Sequence, residues 1–137
     1  MALKLLLVRN GDVLFEMPLA AENWSKEELV DELEQFEGDF DRFSSFFDAL
    51  SNEARLRMMK RIFEDEDLTI GFADFMRDLS LNPKIVWEST RKLARSGLLE
   101  KSDDGKYSCS RQSQAEFLMV SLALRRLLGV LQDSEEW

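Results

Sequence analysis

The chain contains no histidine and only one cysteine, Cys109. Without histidine there is no imidazole to act as a general base or to complete the commonest transition-metal ligand sets, and a single thiol cannot form a disulfide within the chain. Long apolar runs are also missing. None approaches the roughly 20 residues needed to span a bilayer, so no membrane association is expected. The opening MALKLLLVRNGD mixes charge into a short apolar stretch and is followed by no small-residue cleavage site, which argues against a signal peptide and points to a cytoplasmic protein. The carboxylates lie in solvated clusters such as Glu64–Asp67, without the spacing of a calcium loop and with no glycine-rich phosphate loop beside them. No enzyme motif, metal site or cofactor site is therefore expected.

What is present is the balance of an ordinary globular chain, 45% hydrophobic and 33% charged, and long enough at 137 residues to bury a core without staples. Its formal net charge of −9 opposes non-specific nucleic-acid binding, which depends on Lys and Arg neutralising phosphates. The distribution alters that conclusion. Between Asn82 and Arg111, Lys84, Arg91, Lys92, Arg95, Lys101, Lys106 and Arg111 outnumber Glu88, Glu100, Asp103 and Asp104, whereas from Glu22 to Glu37 seven acids face only Lys26.

Asn10-Gly11 between two apolar runs, Leu3–Val8 and Val13–Leu19, predicts a hairpin. Ser25-Lys26-Glu27-Glu28 matches a capping box that starts a helix running to about Phe36, with Gly38 ending it. Phe40, Phe43, Phe47 and Leu50, widened by Phe46, predict a helix with a buried face, and Leu56, Met59 and Phe63 a second helix. Leu68-Thr69 reads as an extended link, and Gly71–Leu79 as a short amphipathic helix. After the tight connection Ser80-Leu81-Asn82, Asn82-Pro83 supplies an N-cap and a first-turn proline for a helix from Pro83 to Gly97. Leu98–Ser102 and Lys106–Ser110 flank Asp103-Asp104-Gly105 as a hairpin with a primed turn. Phe117, Val120, Ser121, Leu124, Leu128 and Leu131 mark one side of a long C-terminal helix.

Two helices, a short helix, a tight turn, a longer helix and a β-hairpin follow the order of a winged helix-turn-helix. The fold expected is mainly α with small β-hairpins: an N-terminal hairpin and acidic helix over 1–37, the winged helix-turn-helix over 38–110, and a C-terminal dimerisation helix over 111–137. Within it, FDALSNEARLRMM (Phe47–Met59) and LNPKIVWESTRKLARSGLL (Leu81–Leu99) resemble the first-helix region and the recognition helix of ArsR-like transcriptional regulators. That resemblance implies a homodimer that binds double-stranded DNA through the helix 83–97 and the wing 98–110; the alternative to dimerisation is that the C-terminal and phenylalanine-rich helices pack on the N-terminal hairpin within one chain. It does not extend to metal sensing. Thr69–Asp74 occupies the position where metal-sensing members carry paired cysteines, and the C-terminal helix has no histidine.

Successive helical residues turn by about 100°, so Val86, Ser89, Thr90 and Leu93 share an inward face, while Lys84, Glu88, Arg91 and Arg95 share the opposite one, with Lys92 at its edge and Trp87 on its flank. Lys84 and Arg91 can donate to guanine, Glu88 can accept from cytosine N4, Trp87 can pack on a thymine methyl or a sugar, and Lys92 and Arg95 can reach phosphates. Lys101 and Lys106 of the wing add affinity rather than readout. The plain alternative is a solvated helix face for the basic residues, and packing against the wing or a second chain for Trp87. A winged helix whose acidic surface, including the N-terminal region, serves protein–protein contacts in a transcription assembly is the competing function. Cys109 reads either as a small packed residue or as an oxidisable thiol.

Overall fold

The computed structural model describes residues 3–133. It is mainly helical, with small antiparallel β-hairpins and a long C-terminal helix, and its contacts divide it into two units, Met1–Asp39 with Leu124–Trp137, and Phe40–Ala123. Among the described residues no helix is long and apolar enough to cross a membrane.

In the first unit, strands β1 (Lys4–Arg9) and β2 (Asp12–Pro18) pair antiparallel, with a register slip after Leu7↔Phe15. Asn10 and Gly11 both have positive φ, 52° and 87°, as a two-residue primed turn requires. The Trp24 Nε1–H donates to the Pro18 carbonyl at 3.0 Å, tying the segment after β2 back to that strand. Helix α1 (Lys26–Gly38) starts where the Ser25 hydroxyl accepts from the Glu28 amide, and runs through Gly38, with Asp39 taking the terminal position assigned to that glycine. Helix α7 (Leu124–Asp133) completes the unit. Not one described residue of this unit is buried, although Leu6, Leu7, Val8, Phe15, Leu33, Phe36, Leu124 and Leu128 are all large and apolar.

The second unit holds the core. Helices α2 (Phe40–Leu50), α3 (Glu53–Glu64), α4 (Phe72–Leu79) and α5 (Pro83–Arg95) surround Met58, Met59, Ile62, Phe75, Val86 and Leu93, all fully buried. The face of α2 departs from expectation. Phe40 and Phe47 are 53% and 51% exposed, because Phe46, Ala49 and Leu50 are the residues that α2 turns toward the core.

The extended link becomes a true strand, β3 (Thr69–Gly71), paired with β5 (Lys106–Ser108), which in turn pairs with β4 (Glu100–Lys101). A three-stranded sheet thus replaces the isolated hairpin. Buried Ile70 lies opposite buried Tyr107, so the third strand closes one side of the core. Of Asp104 and Gly105, only Gly105 has positive φ (82°), and its N–H donates to the Ser102 carbonyl. The connection is therefore a four-residue turn ending in a left-handed glycine rather than a primed turn. The flanking strands are shorter than the apolar pattern: Leu98 and Leu99 leave the ladder to fill the core, and Ser110 leaves it to cap helix α6 (Arg111–Leu118).

Phe117 of α6 stacks on Phe63 at 5.2 Å between ring centres. A π-helical turn, Met119–Ala123, follows, in which the Ser121 hydroxyl bonds back to the Phe117 carbonyl. The widened turn interrupts the single apolar side expected of the C-terminal helix: Phe117 is buried, whereas Met119, Leu122, Leu124 and Leu128 are exposed.

Candidate nucleic-acid interface

The turn from α4 into α5 is built by three local devices. Ser80 ends α4 in the left-handed conformation, φ 55°, and the Leu81 N–H closes onto the Met76 carbonyl. Asn82 then caps α5, its Oδ1 accepting from the Ile85 amide at 2.9 Å, and Pro83 stands in the first turn where no amide partner is needed. At the far end the helix stops at Arg95, two residues before the expected limit, since Ser96 caps it and Gly97 adopts φ 86°. A side chain there would strain the backbone even though the space beside it is open.

With its ends held, α5 has a fixed rotation about its axis. Val86, Ser89, Thr90 and Leu93 are buried, and Lys84, Trp87, Glu88, Arg91, Lys92 and Arg95 are all exposed. Both faces match the 100° wheel. Lys101 and Lys106 are exposed on the β4–β5 hairpin, where Lys101 Nζ sits 5.9 Å from the Tyr107 ring centre. Asp104 organises that turn by accepting from the Ser102 hydroxyl and the Lys106 amide, and these bonds hold its carboxyl below the usual carboxylate range.

The exposed cations are not equivalent. Lys92 donates to Asp48 of α2 at 3.2 Å, so it meets a carboxylate rather than open solvent. The Arg91 guanidinium lies over Trp87, 4.9 Å from the ring centre. Lys84, Glu88 and Arg95 have no ion-pair partner among the described residues. Trp87 is about half exposed, and the charged partner of its ring, Arg91, is on its own helix.

Two buried or bridging polar residues support this face. Arg55 is buried, with Nε donating to the Ala49 carbonyl at 2.7 Å and Nη2 to the Asp48 carbonyl at 2.9 Å, so it satisfies the end of α2 from α3. Asp78 of α4 receives Arg61 of α3 at 3.0 Å and Arg77 at 3.2 Å. Desolvation raises the Asp78 carboxyl, but the two guanidiniums outweigh it and the net displacement is downward. Neither was visible in the periodicity, which carries no information about which polar residue crosses between helices. Cys109 is buried, and loss of solvation pushes its thiol up to about 11, against a weaker opposing hydrogen bond from Ser113.

No protein-family model matches the chain, and no curated protein matches it.

Proposed function

We propose that the second unit is a winged helix-turn-helix of the ArsR-like kind, and that the protein is a homodimeric transcriptional regulator acting in the cytoplasm on duplex DNA. The observation that carries this reading is the division of α5: a buried apolar side and an outward side bearing Lys84, Trp87, Glu88, Arg91 and Arg95. A helix so mounted fits the major groove, and the β4–β5 hairpin with Lys101 and Lys106 lies next to it in sequence as a wing would. Dimerisation is supported by the first unit, whose α1, α7 and hairpin expose apolar side chains and bury none. A second copy supplies cover by burying those faces, and two α5 helices would then meet half-sites about 34 Å apart, one DNA turn.

Selection of bound duplexes from a random pool at several salt concentrations tests this, with Lys84, Arg91 and Arg95 changed together to alanine as the comparison. A defined motif for the wild type, lost in the triple variant, is the expected result, alongside a dimer in sedimentation. A second reading is favoured by the acidic α1, in which no residue is buried: a winged helix used for protein contacts. It stands if the wild type selects no sequence and its weak binding is indifferent to the three substitutions.

A further inference from the structure

Trp87 is 54% exposed, on the flank of the outward face of α5. The ring is half of a pair, because the Arg91 guanidinium lies over it at 4.9 Å. Glu88, three residues before Arg91, is the natural competitor for that guanidinium. No Glu88–Arg91 ion pair forms, so the ring rather than the carboxylate sets the Arg91 rotamer. The Arg91 guanidinium carries five N–H donors, and among the described residues no hydrogen bond or ion pair engages them.

We propose that Trp87 and Arg91 form one reading unit for adjacent G·C and T·A base pairs: Arg91 donates two N–H groups to guanine O6 and N7, and the Trp87 ring covers the C5-methyl of the neighbouring thymine. This rests on the DNA-binding reading above. Guanine is the base that offers two acceptors side by side in the major groove, and the thymine methyl is the apolar group found there. The spacing selects neighbours. Centres 4.9 Å apart lie nearer to one base-pair rise of about 3.4 Å than to two, which favours adjacent pairs. Lys92, held by Asp48, stays out of this unit, and Trp87 acts on guanine only by positioning Arg91.

The test uses the full chain and its selected duplex. Deoxyuridine in place of thymine removes only the methyl and should weaken wild-type binding about fourfold, and 7-deazaguanine, which lacks N7, should weaken it about five- to a hundredfold. Trp87→Ala should be indifferent to deoxyuridine and lose part of the guanine preference, with Trp87→Phe restoring part of both. Arg91→Lys should keep the salt dependence and weaken the guanine preference, since lysine lacks the planar fork that the Trp87 ring orients. Because Trp87 and Arg91 are exposed, the variants should melt with the wild type, and matching melting curves confirm that the comparison reports on binding. Sequence-selective binding in which the wild type ignores both base analogues, or in which Trp87→Ala selects an unchanged motif, overturns this proposal and leaves the regulator reading intact. Absence of any selected sequence overturns both.

Discussion

If the exposed face of α5 meets DNA, the Lys92–Asp48 pair acts as a brake on it, and Asp48→Asn should release that brake. The substitution removes the carboxylate that accepts from Lys92 at 3.2 Å. It spares the bonds that Arg55 makes at the end of α2, because these go to the backbone carbonyls of Asp48 and Ala49. An additional phosphate contact steepens the dependence of log K on log salt by about 0.9, so between about 1 M and 0.1 M salt one freed lysine adds about eightfold affinity, and two in a dimer about sixtyfold. The stability cost is small. Both side chains are about half exposed, 49% and 60%, and such pairs contribute at most about 1 kcal/mol. Fluorescence anisotropy with a labelled duplex across a salt series measures slope and affinity together. The gain should vanish in a Lys92→Ala background. A steeper slope that persists there, or no change of slope in Asp48→Asn alone, refutes the reasoning.

Arg55→Met removes two charge-assisted bonds to helix-end carbonyls, one donated from a buried guanidinium nitrogen, and should destabilise the protein by about 2–4 kcal/mol in urea titrations; a loss under about 0.5 kcal/mol would show that the carbonyls find water instead. Cys109, with its thiol pushed up to about 11, should resist alkylation at pH 8 in the native protein and react fully in denaturant. Since the raised value favours the neutral thiol in the fold, stability should fall as pH rises from the ordinary thiol value, 9.0, toward about 11, and Cys109→Ala should flatten that limb of a pH–stability curve. Asp104 is displaced in the opposite direction: its contribution is present above the ordinary carboxylate value of 3.8 and is lost as pH falls through its lower folded value. Protection of the Lys106 amide, measured against its intrinsic exchange rate at each pH, should fall through that acid range in the wild type, and Asp104→Asn should show the lower protection already at neutral pH.

Much of the fold was legible because its signals are local. Asn10-Gly11, the Ser25 and Asn82 caps, Pro83 and Gly97 each act within a few residues, and each stands where its chemistry indicates. The wheel of α5 was legible for the same reason, since one rigid helix with four apolar or small residues on one side has a single way to face a core. Phe40 and Phe47 were not, because α2 carries more apolar surface than one side can bury, and neighbouring helices decide which residues are taken. Strand β3 was missed because three residues, Thr69–Gly71, have too little pattern without the partner strand 37 or so positions away.

For the candidate site, the sequence by itself determined which side chains point outward: Lys84, Trp87, Glu88, Arg91, Lys92 and Arg95, set by the 3.6-residue period and by two capped helix ends. Tertiary structure decided what those side chains are free to do. Lys92 is engaged by a carboxylate 44 residues earlier in the chain, because α2 packs beside α5, a pairing no local pattern records. Arg91 rests on Trp87 rather than on Glu88, although both lie within one turn of it, and only the rotamers adopted in the folded helix distinguish the two.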